Sequence, residues 1–145
     1  MGKRRRAREL AVQVLFHLEY TDDHPDEAFE LVCTHFGASD SIQGFSKELV
    51  SGVMAYKEEL DHRIRKASKN WRIERMSRVD RCVLRLATFE ILFREDIPPK
   101  VSIDEAVELG KKFGSEDSAA FINGILDNIY NTWLRETGHK GEDEG

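Results

Sequence analysis

The chain has 145 residues, 40% of them apolar and 34% charged, with a formal net charge of −5. This is the length of one domain with enough apolar chain to bury a core, and the composition argues against a fibrous or low-complexity protein. No apolar run approaches the roughly 20 residues that span a bilayer, no secretory signal is legible, and the isolated Cys33 and Cys82 argue against a disulfide scaffold.

In chain order, residues 7, 11, 14, 15 and 18 share one apolar helical face, and this first helix should end near Tyr20. Pro25 suits the first turn of a second helix, with Phe29, Val32 and Phe36 inward and Gly37 as its stop. A long third helix is predicted from about residue 43, with the stripe Phe45, Leu49, Val53, Tyr56, Leu60, Ile64 and Ala67 in the core. Ser77-Arg78-Val79-Asp80 reads as a capping box with Ser77 as the cap. It opens a helix carrying Val79, Val83, Leu86 and Phe93, stopped by Pro98-Pro99. Ser102-Ile103-Asp104-Glu105 reads as a second capping box, for a helix running to Phe113 with Gly114 as a left-handed stop. A last helix carries Phe121, Ile122, Ile125, Ile129 and Trp133. Gly124 within it predicts the close approach of another element. Cys33 and Cys82 read as small core or near-core residues in a reducing cytosol.

No segment alternates like a strand. The expected fold is all-α, one domain over residues 1–137. A break near 69–77 would split it into halves of about three helices each (1–70 and 71–137), followed by a disordered polar tail at 138–145.

The charge is segregated. Residues 1–8 carry +5 through Lys3, Arg4, Arg5, Arg6 and Arg8, residues 63–85 carry +7, and the remainder carries −17. Two basic segments on an acidic chain point to a polyanion site on one face. Arg78, Arg81 and Arg85 recur at three and four, so they share a helical face. Either this face is solvated, or it forms an RNA track with the N-terminal arginines. Asp117 and Ser118 can be read as helix caps, and Phe121 either as core or as a platform for an unpaired base. Cations in the first turn of a helix oppose its dipole, which suggests a compensating use.

Catalytic and cofactor signatures are absent. There is no H-E-x-x-H, no P-loop, no G-x-S-x-G and no G-x-G-x-x-G, and the histidines at 17, 24, 35, 62 and 139 have no metal-ligand spacing. The expectation is a non-enzymatic protein without metal or other cofactor.

Five blocks carry a resemblance. They are Arg4-Arg5-Arg6-Ala7-Arg8-Glu9 with Ala11-Val12-Gln13, then Leu84-Arg85-Leu86-Ala87 with Glu90, Asp96-Ile97-Pro98-Pro99-Lys100-Val101, Asp104-Glu105-Ala106-Val107-Glu108-Leu109, and Phe113-Gly114 through Asn123-Gly124. In this order, over about residues 4–130, they resemble the NusB family of bacterial transcription antitermination factors. The resemblance implies an all-helical bundle of two three-helix subdomains. It implies a cytoplasmic protein that binds single-stranded boxA RNA together with NusE, a small-subunit ribosomal protein. That assembly joins the RNA polymerase antitermination complex, which reads through terminators chiefly in ribosomal RNA operons. RNA contacts would fall on Arg4, Arg5, Arg8, Arg85, Asp117 and Phe121, with Arg6 added by the basic run itself. Asp80 would face NusE. Phe16 would also face the partner, and it lacks the hydroxyl of the tyrosine that many relatives carry there. The resemblance also allows a homodimer whose interface covers the arginines. The same fold occurs as a module of some RNA cytosine methyltransferases, but no such domain is expected here. The alternative reading is a helical protein-interaction module without RNA binding.

Overall fold

The computed structural model of the chain describes residues 2–69 and 71–138, and the predicted tail beyond Gly138 lies outside them. Among the described residues there are seven α-helices, one short 3-10 turn and no strand. The chain divides into two compact units, one ending at Tyr56 and the other beginning at Lys57.

The first unit holds α1 (Lys3–Leu18), α2 (Pro25–Phe36) and α3 (Asp40–Ala55). α1 packs against both of the others. It buries Ala7, Leu10, Ala11, Val14 and Leu15, while Leu18 is only half-buried. α2 starts as its sequence suggests, with Pro25 in the first turn. Its cap is His24, whose Nδ1 accepts the Asp26 N–H at 3.1 Å, while Glu27 Oε1 accepts the His24 N–H at 3.2 Å. Gly37 ends it at φ 73°, a left-handed conformation that glycine adopts without Cβ strain.

The expected long third helix is two helices. α3 ends at Tyr56, whose φ of −112° and ψ of 19° leave the helical region, and α4 (Lys57–Ala67) restarts at once. Tyr56 is consequently exposed, not in the core stripe. Glu58 and Glu59 in the first turn of α4 favour the new helix N-terminus electrostatically. The division of the chain thus falls at Tyr56, not near residue 70.

In the second unit the 3-10 turn (Ile73–Arg75) leads to α5 (Arg78–Phe93), α6 (Pro99–Phe113) and α7 (Ser118–Thr137). α5 packs against α4, α6 and α7. Every residue from Cys82 to Ile91 is buried, the signature of a central helix. Three of its buried polar side chains find a partner, one on each neighbour. Arg85 pairs with Asp61 on α4, Glu90 Oε1 accepts the Ser102 hydroxyl of α6 at 2.6 Å, and Asp80 accepts the Ser118 hydroxyl of α7 at 2.6 Å. Burying such groups is tolerable only with partners in place.

Three expectations about α6 and α7 fail for physical reasons. Ser102 does not cap a helix, because Pro99 already occupies the first turn and places Ser102 inside, buried against Glu90. Gly114 is not a left-handed stop. Its φ is −96°, and glycine is needed there for space, since a Cβ would lie within 2.8 Å of the Gly110 carbonyl and of the Ser118 side chain. At Gly124 no other element lies within 4 Å of where a Cβ would sit. The close helix contact is at Gly110, where a Cβ would meet Ile122 Cδ1 at 2.8 Å.

Candidate nucleic-acid interface

The first turn of α1 consists of Lys3-Arg4-Arg5-Arg6, all exposed, with no acidic residue and no side-chain cap on Gly2. Two phenylalanines hold this charge in place. Arg4 Cζ lies 4.4 Å from the Phe45 ring centroid and Arg6 Cζ lies 4.1 Å from that of Phe36. Arg8, 4% exposed, reaches Phe45 from 5.5 Å. Stacking on an aromatic face holds a guanidinium's planar charge in a fixed orientation. Phe36 and Phe45, expected as core, are half-buried for this reason. Arg6 also donates to Glu9 at 3.2 Å.

The face predicted for Arg78, Arg81 and Arg85 does not form a uniform exposed track. Arg78 is exposed. Arg81 turns back and donates through Nη1 to the carbonyls of Ile73 at 3.0 Å and Met76 at 3.3 Å. Arg85 is 8% exposed and makes a two-pronged pair with Asp61, Nε to Oδ1 at 2.7 Å and Nη2 to Oδ2 at 3.0 Å. The helix pattern gave these three one face, but the α4 carboxylate and the turn carbonyls take two of them inward.

Ser77 caps α5 as expected, accepting the Asp80 N–H at 3.0 Å. The Asp80 carboxylate, 8% exposed, is committed to Ser118. Asp117 is exposed at the N-cap position of α7 and makes no side-chain capping bond. Ser118 does the local work, also accepting the Ser115 N–H at 2.9 Å. Phe121 is half-buried. Its ring lies 5.7 Å from that of Trp71 at 76°. Trp71 is exposed, and motif reasoning missed it. The available signal was an aromatic inside the run from Lys69 to Arg75.

Phe16 is half-buried and meets Tyr20 edge-on at 5.1 Å, with Tyr20 exposed. Cys33 and Cys82 are both free, Cys82 buried and Cys33 half-buried. Burial, and secondarily the Glu30 charge, push the Cys33 thiol up, away from reactive thiolate character. Among the described residues no group of three or more His, Cys, Asp or Glu could hold a metal ion.

The NusB family profile matches residues 5–131. The chain belongs to the NusB family. It is 50% identical over 134 residues to the transcription antitermination protein NusB of Geobacter sulfurreducens, covering 91% of this chain and 96% of that one. It is 48% identical over 130 residues to the NusB of Desulfatibacillum aliphaticivorans, covering 90% and 91%. Among solved structures, T. maritima NusB matches with a TM-score of 0.81 at 36% identity over 88% of this chain and 90% of that one. A structure of the antitermination factors NusB and NusE in complex with double-stranded RNA matches with a TM-score of 0.84 at 30% identity, over 91% and 98%.

Within the NusB fold of this chain, the Asp80–Ser118 bond joins α5 to α7 beside the exposed Asp117. Ser118→Ala should destabilise the protein by about 1–3 kcal/mol, because it leaves a buried carboxylate oxygen without its donor. A denaturant titration checks this, and a shift in midpoint at constant slope is the expected result. An unchanged midpoint would mean that water replaces the hydroxyl.

Proposed function

We infer that the chain is a transcription antitermination factor. It binds boxA RNA together with NusE, and this assembly promotes read-through by RNA polymerase, chiefly in ribosomal RNA operons. One observation carries the reading on this chain's own residues. The first turn of α1 presents Arg4, Arg5 and Arg6 to solvent, with two of the guanidiniums stacked on phenylalanines. This arrangement is electrostatically unfavourable for an isolated helix and favourable for a phosphate backbone.

Arg4, Arg5 and Arg6 contact phosphates. Phe121 offers a ring to an unpaired base, with Asp117 beside it. Arg8, buried in α1, and Arg85, buried in α5, act as positioning residues, each within its own unit. Phe16 with Tyr20 forms an aromatic surface for NusE, and Asp80 supports the first turn of α5 through Ser118. The protein acts by binding, without catalysis and without a cofactor. It works in the cytoplasm; no helix among the described residues is long and apolar enough to cross a membrane.

Co-purification tests this reading. Tagged protein should retain NusE from the same organism, and added boxA RNA should increase the amount retained. No retention with or without RNA would overturn it.

A further inference from the structure

The connection from α4 to α5 is anchored where a surface loop need not be. Ser68, buried, donates its hydroxyl to the Ile64 carbonyl at 2.7 Å and to the Trp71 carbonyl at 3.3 Å, and Trp71 N–H returns to Ser68 at 2.9 Å. Asn128 on α7 donates to the Ala67 carbonyl at 3.0 Å. Ile73 and Met76 are buried, and both of their carbonyls accept from Arg81 on α5. Side chains from α5 and α7 thus hold the backbone at Ala67, Ile73 and Met76.

The anchored turn displays an aromatic among cations. Trp71 remains 56% exposed, although a tryptophan ordinarily gains by burial. An open groove of about 490 Å³ runs beside it, lined by Arg65, Lys69, Arg72 and Arg75 with Glu74 as the single carboxylate. Glu74 approaches Arg65 at 3.7 Å. The Trp71 and Phe121 rings, 76° apart, form a corner. An acidic peptide would use the cations but leave the indole face idle. A nucleic-acid single strand uses both, because each nucleotide brings a negative phosphate and a flat base.

We propose that the α4–α5 connection is a single-strand RNA subsite in which Trp71 stacks an unpaired base and Lys69, Arg72 and Arg75 hold the flanking phosphates. The proposal rests on the reading of the chain as an RNA-binding protein, and it extends the contact surface beyond Phe121. The pinned turn keeps the indole in place before RNA arrives, which reduces the ordering entropy that binding must overcome.

The test uses the full chain with Trp133→Phe, so that Trp71 is the one tryptophan left. Two probes are titrated at low salt, a short fluorescein-labelled oligouridylate and an abasic oligomer of the same length. Oligouridylate should quench Trp71 emission and the abasic oligomer should not. In the otherwise natural chain, Trp71→Ala should weaken oligouridylate binding about tenfold, within the range for loss of one stacked base. Trp71→Phe, which keeps a π-face, should stay within about threefold of the parent. Arg72→Ala should reduce the magnitude of the salt slope by roughly 0.7. Equal quenching by both probes, or unchanged affinity in Trp71→Ala, would overturn the stacking site. If Trp71→Ala binds normally while alanines at Arg4, Arg5 and Arg6 abolish binding, the subsite fails and the general RNA-binding reading survives. If the parent protein binds neither probe, both fall.

Discussion

Replacing Asp61 by alanine is expected to destabilise the protein by about 3 kcal/mol or more, because it removes the two-pronged carboxylate partner of the buried Arg85 guanidinium. The pair has good geometry, with both carboxylate oxygens engaged at 2.7 and 3.0 Å. Both side chains are about nine-tenths buried, so solvent cannot replace the lost partner. For a chain of this length the melting temperature should fall by roughly 10 °C. Arg85→Met alone should cost a comparable amount by stranding Asp61. The combined Asp61→Leu, Arg85→Met variant should recover most of the loss, since an apolar pair removes both desolvation terms. Two of these variants also separate stability from binding. If Asp61→Ala melts normally, Arg85 does not depend on Asp61 and is free to swing out as a direct RNA contact. If it melts as predicted while the combined variant binds RNA like the natural chain, Arg85 contributes to the RNA surface only by holding α5 to α4.

Alanine at Arg4, Arg5 and Arg6 together should weaken RNA binding about a hundredfold near 0.1 M salt. Each lost phosphate contact removes roughly 0.7 from the logarithmic salt slope of a single strand, and the loss in log affinity at that salt is of the same size per contact. Stability should barely move. Losing cation–π contacts with Phe45 and Phe36 costs about 0.5–1 kcal/mol each at an exposed site. Removing three cations from a helix N-terminus returns about 0.3–1 kcal/mol each. The two effects offset, so a large binding loss with an unchanged melting temperature is the outcome that assigns these residues to function.

The legible parts of the molecule were those written in local chemistry. Pro25 and Gly37 bound α2, Ser77 caps α5, and apolar periodicity excludes strands, because each signal lies within a few residues of what it controls. The break at Tyr56 was illegible because no glycine or proline marks it, and the apolar stripe runs through it without a change of spacing. Ser102 misled because a serine three residues before an acidic residue looks the same at a helix start and inside one. Pro99, three residues earlier, already marks the helix start, and the buried Glu90, twelve residues back, holds Ser102 inside. The site divides the same way. The exposed cationic turn of α1 could be read from composition, and its RNA role is our proposal. The fate of Arg85 could not, because its partner Asp61 lies 24 residues away on a different helix. Trp71 was overlooked since an aromatic with no periodic role carries no helical signal; its value appears once Ser68 and Asn128 are seen to pin the turn beneath it.

The salt dependence of RNA binding tests the central claim most directly. The affinity of the natural chain and of the variant with alanine at Arg4, Arg5 and Arg6 is measured for one boxA RNA across a salt series. A linear fall of log affinity with log salt is predicted for the natural chain, with a slope steeper by roughly 2 than that of the variant. A natural chain whose affinity ignores salt, or a variant with the same slope, would contradict the account.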